Sequence, residues 1–209
     1  MLIFIGIDLS INSSGICVSS YDNNLKLIQN KFFIIKPDKL SRKEKVAQEK
    51  YADIISYVTY NKTDLAQFKD DNHMSEYHKT LNMLEIVHMI YQAISEYIDD
   101  TDNMIYVCQE GISYGSTLRT KSVFDLAGLN YLLRSLFIDT EDIQHFIIAP
   151  PTEIKKFATG KGNANKTMIM NVFNMLFDDL DIPKKDDIAD AYFMASYAKH
   201  IYETTKGRT

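Results

Sequence analysis

Asp8 closes the apolar run Leu2–Leu9, with Gly6 before it and Ser10 after. A short apolar run of that length reads as a buried strand. A carboxylate there is costly unless it is paired or bound to a cation, although capping a turn at the strand end is an ordinary alternative. Glu110 repeats the setting, because it follows the apolar stretch Met104–Cys108 and precedes Gly111. Glycine at that point lets another group approach the backbone closely. If the two strands are parallel neighbours, both carboxylates lie at the carboxyl edge of the sheet, where ligands bind in open α/β folds. Asp187 and Asp190 form a third feature, spaced i, i+3 in the first turn of the last helical pattern. They share a face of that helix. Acids in a first turn also suit the helix dipole, a gain of up to ~1 kcal/mol. Asp190, however, lies on the side of Ala191 and Ala195, small residues that imply close packing on a sheet. No histidine or arginine is near it in sequence, so a hard divalent cation shared by several carboxylates is the economical partner.

Other chemistries fit less well. The segment Gly160-Lys161-Gly162-Asn163-Ala164-Asn165-Lys166-Thr167 resembles a phosphate loop, but Asn165 stands where the Walker pattern needs its second glycine. A lysine-bearing glycine loop at a helix start can still cradle a phosphate backbone, and a solvated loop is the plain alternative. Cys17 and Cys108 both sit in apolar runs and read as buried, reduced thiols. The five histidines form no HxxxH or HxH pair, so a zinc site has too few ligands at ligand spacing.

The chain has 209 residues, 45% of them apolar and 24% charged, which excludes disordered and collagen-like classes. No apolar run approaches the ~20 residues of a spanning helix. The N-terminus lacks a basic leader, so a cytoplasmic protein without membrane association is expected. A net charge of −5 argues against nucleic acid as a partner, but its distribution is uneven. Asp64–Asp102 holds nine acids and two lysines, a balance of −7, which leaves the rest of the chain at +2. Ile143–Met175 carries Lys155, Lys156, Lys161 and Lys166 against Glu153 alone, a cationic strip beside an acidic module.

The elements that must position these groups follow from periodicity. Leu2–Leu9, Gly15–Tyr21 and Leu25–Ile35 predict three strands with short connections, an antiparallel meander. Ser41 with Glu44 forms a capping box, and Val46, Tyr51, Ile54, Ile55 and Val58 approximate one helical face. Tyr77, Leu81, Leu84, Val87, Tyr91, Ile94 and Ile98 give a long helix at 3–4 spacing. Met104–Cys108 and Ile143–Ala149 predict a fourth and a fifth strand. A helix around Val123–Leu136 stands between these two strands. Helices around Glu153–Phe157, Met168–Leu176 and Ile188–Ile201 follow the fifth strand. The expected fold is α/β. It has a mixed five-stranded sheet, three antiparallel strands then two parallel, with helices on both faces. One domain of residues 1–209 is expected, enlarged by a helical, acidic insertion at about 40–102.

In this order the motifs resemble those of the RuvC-type Holliday-junction resolvases of the ribonuclease H-like superfamily, in a form similar to phage and viral relatives. Ile5-Gly6-Ile7-Asp8 with Gly15 resembles the first-strand motif, and Tyr106-Val107-Cys108-Gln109-Glu110 the central strand with its glutamate. Thr152–Gly160 running on to Lys166 resembles the lysine-bearing segment, and Asp187-Ile188-Ala189-Asp190-Ala191 the terminal helix. Together they cover most of the chain outside 40–100. The resemblance implies a ribonuclease H-like nuclease in which Asp8, Glu110, Asp187 and Asp190 bind two Mg²⁺ per site, with Mn²⁺ able to substitute. It implies that Lys155 and Lys166 face the scissile backbone, Lys166 neutralising charge in the transition state. Lys156, Lys161, Arg119 and Lys121 are the further expected DNA contacts. The bacterial form has Pro-Gly after its first aspartate, where this chain has Leu9-Ser10. The family's stacking aromatic is replaced by Ser113, with Tyr114 next to it as the candidate substitute. The Asp8–Glu110 separation of 102 residues is longer than the bacterial pattern by roughly 40, an excess that the resemblance leaves without a role.

The implied activity is Mg²⁺-dependent cleavage of four-way and other branched DNA by a homodimer, bacterial or phage-encoded, with no nucleotide cofactor. Part of the 64–102 helix stripe would cover the sheet, and the remainder would extend the dimer contact away from the DNA. Three rivals share the fold. One is an ATPase of the actin and sugar-kinase superfamily, which needs two such domains. Another is a non-catalytic junction-binding protein, and the third a ribonuclease or hybrid nuclease.

Overall fold

The computed structural model describes residues 1–112, 121–140 and 143–206, apart from the side chains of residues 121 and 122. The sheet begins as a meander of β1 (Leu2–Asp8), β2 (Ser14–Tyr21) and β3 (Leu27–Pro37), each antiparallel to the one before. The Asp22 carboxylate accepts from the backbone N–H groups of Asn24 and Lys26 and so shapes the β2–β3 turn. β5 (Met104–Glu110) pairs parallel to β1, and β6 (Ile143–Ala149) parallel to β5.

A sixth strand corrects the five-stranded expectation. β4 (Ile55–Tyr60) lies parallel to β3 at the far edge, giving the order β4-β3-β2-β1-β5-β6. The residues Ile54, Ile55 and Val58 therefore do not continue a helix. α1 (Arg42–Lys50) ends at Tyr51, and the chain returns to the sheet. Spacings of three and four residues across Val46–Val58 match a helix by count. The segment Ile55-Ser56-Tyr57-Val58-Thr59-Tyr60 instead buries Ile55, Tyr57 and Tyr60 as a strand rich in β-branched and aromatic residues. The capping box at Ser41 and Glu44 is formed as expected, and Glu44 also takes the Lys36 ammonium at 2.9 Å.

Strand alternation sorts the core into two layers. Phe4, Cys17, Phe32 and Ile34 face one side, where α5 (Lys166–Leu176) and α6 (Lys185–Lys206) bring Phe173, Ala191, Ala195 and Ala198. Ile3, Ile5, Ile7, Ile16 and Val18 face the other, against α2 (Asn72–Ile98) and α3 (Lys121–Ile138). α2 does not present the expected stripe along its whole length. Ile86, Ile90, Ile94 and Ile98 are buried with Val87, whereas Tyr77, Leu81 and Leu84 are exposed. The first half of α2 packs instead against the 63–68 segment and α3, through Asn82 on Thr63, His78 on Phe68 and Lys79 on Asp125, and leaves these three side chains outward. Both cysteines are buried free thiols, and burial pushes each pKa up to about 12. No helix among the described residues is long and apolar enough to cross a membrane.

Candidate active site

Asp8 and Glu110 end adjacent parallel strands. The register runs Gly6 to Cys108 and Ile7 to Gln109, so the two carboxylates are the next step of the same ladder. By alternation Asp8 shares its side of the sheet with Phe4, and Glu110 with Tyr106 and Cys108. That is the side covered by α6, which carries Asp187 and Asp190 in its first turns.

Two glycines set the distance between helix and sheet. A Cβ on Gly6 would come within 2.0 Å of the Ala191 carbonyl oxygen and 2.4 Å of the Ala195 nitrogen. A Cβ on Gly15 would come within 2.3 Å of the Asp187 carbonyl oxygen. The α6 backbone thus rests directly on β1 and β2, which carries the Asp187 and Asp190 carboxylates to the end of β1. The loop between β1 and β2 adds a fixed contact, since Ser13 Oγ donates to Asp187 Oδ2 at 2.6 Å. Ser14 Oγ in turn accepts from the Ser10 N–H and donates to the Ser10 carbonyl, which holds that loop closed.

The electrostatics report a cluster. Burial, then the charges of Asp190, Asp187 and Glu110, push the Asp8 pKa well above its ordinary value. Glu110 is raised by burial and by Asp190, with Lys155 opposing. Asp187 is raised by burial, against the hydrogen bond from Ser13. Asp190 is pushed up to about 6 by burial, with Lys166 opposing and Asp186 and Asp187 adding to the rise. Four acids from three segments of chain therefore share one desolvated edge, flanked by Lys155 of α4 (Pro151–Thr159) and Lys166 of α5. Among the described residues no three His, Cys, Asp or Glu side chains are closed around one point as ready-made ligands. The acids are electrostatic neighbours, not a finished coordination shell. Their chemistry nevertheless suits a hard divalent cation: oxygen donors only, desolvated, and with more negative charge than two lysines offset.

A pH effect follows for the protein in EDTA. The folded Asp190 holds its proton up to about pH 6, the unfolded one only to 3.8. The native state binds more protons between those values, so stability falls as pH rises through them. The loss is on the order of 2–3 kcal/mol for this group and is constant above the upper value. Asp190→Asn should therefore melt higher than the wild type at pH 7.5 in EDTA and show a flatter stability profile between pH 4 and 6. Thermal melts across that range check it.

Lys166 pairs with Asp186, a residue that the spacing of Asp187 and Asp190 did not single out. Burial raises the Asp186 pKa, but the Lys166 ammonium more than reverses that, and its carboxyl falls below the ordinary range. Ser13 is a second unanticipated member, and nothing local in the sequence marks it. Lys156 and Lys161 are exposed, on α4 and in the loop after it. Gly160 is the left-handed C-cap of α4 (φ 79°), and the Asn165 side chain caps α5 by accepting from the Met168 N–H. The departure from the Walker pattern at Asn165 is thus a helix N-cap. Tyr114 and Arg119 lie outside the described residues, as does the side chain of Lys121.

No protein-family model matches the chain, and no curated protein sequence matches it significantly. Solved structures do. The structure of Thermus thermophilus RuvC superposes with a TM-score of 0.53 at 13% identity, covering 99% of this chain and 96% of that one. T. thermophilus RuvC in complex with a Holliday junction substrate gives 0.51 at 16% identity, covering 99% and 97%. With its mixed sheet, its strand directions and its helices on both faces, this chain has the ribonuclease H-like fold of the RuvC structures.

Proposed function

We propose that this chain is a metal-dependent endonuclease that cleaves four-way DNA junctions. The observation that carries the proposal is the gathering of Asp8, Glu110, Asp187 and Asp190 at one desolvated sheet edge, on a fold also seen bound to a Holliday junction. Unused buried acids would only cost stability, so their retention favours an enzyme over a passive junction binder.

Asp8, Glu110, Asp187 and Asp190 would hold divalent metal, Mg²⁺ by its preference for carboxylate oxygen. When bound, the metal supplies Lewis-acid stabilisation of the phosphodiester and a nucleophilic water at neutral pH. The chain's own residues do the rest. Ser13 fixes the rotamer of Asp187 through its hydrogen bond. Lys166 presents an ammonium beside the carboxylates, where it donates to a non-bridging phosphate oxygen and offsets charge as it develops. Asp186 keeps that ammonium aligned before substrate arrives. The Lys155 charge offsets Glu110 and Asp190.

Two coordinated cuts across a symmetric junction need two sites, so the acting species is a homodimer. The exposed Tyr77, Leu81 and Leu84 on the first half of α2 supply an apolar surface for a second copy, one that phosphate avoids because the surrounding segment is acidic. Leu81→Lys with Leu84→Glu should yield a folded monomer in sedimentation that nicks junctions without coordinating the two cuts. An unchanged dimer would place the contact elsewhere.

Cleavage of labelled four-way junction, duplex, single strand and RNA–DNA hybrid, with and without Mg²⁺, tests the function directly. Cutting of the junction alone, only with metal, is expected. Preference for the hybrid would make the chain a hybrid nuclease, and binding without cutting would make it a junction-binding protein.

A further inference from the structure

A groove of about 790 Å³ opens between α1 and the segment that leads into α6. Its floor is apolar, with Val46 on one wall and Ile182 on the other, and its rim carries Arg42, Lys43 and Lys50. Asp181 is the acid on the opposite wall. Its charge acts on Lys50, the third of the rim cations. Arg42 and Lys43 are exposed and form no ion pair among the described residues.

Their place on α1 makes this costly. Arg42 and Lys43 are the first two residues of the helix after the Ser41 cap. The positive end of the helix dipole disfavours cations there. Two cations without a paired acid at the positive end of a helix, beside an open groove, are complementary in charge to a polyanion.

The groove also has a definite relation to the carboxylate edge. β3 runs parallel to β1, because each is antiparallel to β2. Its carboxyl end at Pro37 therefore lies on the same edge of the sheet as Asp8, and α1 starts five residues later. On the other wall, Tyr57 Oη donates to the Pro183 carbonyl at 3.1 Å and fixes the approach to α6. Pro183 lines the groove and is four residues from Asp187, so at most ~14 Å of chain separates them. That is about four base steps of B-form rise at 3.4 Å each.

We infer that this groove binds the sugar–phosphate backbone of a DNA arm, a few nucleotides from the phosphate held at the carboxylates, with Arg42 and Lys43 as its phosphate contacts. The inference rests on the nuclease reading above. An acidic peptide would meet the same rim charges, but it has no reason to lie in line with the carboxylate edge. The contacts are remote from the reacting atoms, so they act on affinity and leave the chemical step alone.

The test measures binding of a labelled four-way junction in Ca²⁺ between about 50 and 200 mM NaCl, where phosphate contacts dominate the salt dependence. For Arg42→Gln with Lys43→Gln, the slope of log K against log salt should fall by about 2, at ~0.9 per phosphate no longer neutralised. Arg42→Glu with Lys43→Glu should weaken binding by about tenfold or more at 200 mM NaCl. Its single-turnover rate in Mg²⁺ at saturating enzyme should stay within about twofold of wild type. Its melting temperature should equal or exceed that of the wild type, because acids suit the first turn, and this separates weakened DNA binding from a damaged fold. Lys45→Glu reverses the same charge on α1 but lines a different cavity with Leu40 and Glu49, so it should leave the affinity nearly unchanged. Wild-type affinity and slope in both double variants, or an equal loss in Lys45→Glu, would overturn the groove assignment while the nuclease reading stood. A wild-type protein that binds no DNA would remove both.

Discussion

Asp8→Asn should abolish Mg²⁺-dependent junction cleavage while junction binding in Ca²⁺ or EDTA survives, and Glu110→Gln should do the same. Both substitutions preserve shape, remove charge and turn one accepting oxygen into a donating NH2. Asp8 is pushed up by burial and by the charges of all three of its acidic neighbours, with Lys166 opposing. If it holds the metal as proposed, its removal forfeits several kcal/mol of transition-state stabilisation. At 1.36 kcal/mol per decade that is a rate loss of about 10³-fold or more. In the proposed function affinity would rest on lysine contacts to phosphate, which these changes leave intact. The variants should also melt higher than the wild type in EDTA, because one of four mutually repelling carboxylates is gone. Single-turnover kinetics at saturating enzyme, beside binding isotherms, check both halves. A variant that cuts at near wild-type rate would remove its residue from the site.

The second large effect is structural. Gly6→Ala places a methyl group within 2.0 Å of the Ala191 carbonyl oxygen and 2.4 Å of the Ala195 nitrogen. Both are backbone atoms of a buried helix, so no side chain can swing aside. α6 must lift from β1 along much of its length, or β1 must yield in the centre of the sheet. The expected loss is at or above the ~3 kcal/mol upper end of ordinary overpacking, a large share of a domain's ~5–15 kcal/mol. Any folded fraction should also be inactive, because lifting α6 draws Asp187 and Asp190 away from Asp8. Gly128→Ala is the control. Among the described residues its added methyl meets only Met83 Sδ at 3.7 Å, and alanine favours the helix, so stability should hold or rise by up to ~1 kcal/mol. Urea denaturation of the two variants separates the cases.

The strands bearing Asp8 and Glu110 and the spacing of Asp187 and Asp190 were legible in the sequence by itself, as were the Ser41 capping box and the alternation of strands with helices. Each depends on residues close together in the chain. Apolar runs of strand length, a cap with its partner three residues on, and a helical i, i+3 pair are local patterns. Only the tertiary structure decided three further matters. The first is β4, since Ile55 and Val58 fit a helical count until parallel pairing with Phe32–Pro37 buries Ile55, Tyr57 and Tyr60. The second is the face of α2. That helix is apolar on more than one side, and Ile86, Ile90 and Ile94 are the ones buried in the core with the strand residues, whereas Tyr77, Leu81 and Leu84 are exposed. The third is the company kept by the site residues: Ser13 on Asp187, Asp186 on Lys166, and Arg42 and Lys43 beside the approach to α6. Each of these pairs distant parts of the chain, such as residues 13 and 187, and a single sequence carries no local signal for contacts at that range. They exist because Gly6 and Gly15 let α6 rest on the sheet, and close packing, not periodicity, selects which side chains then meet.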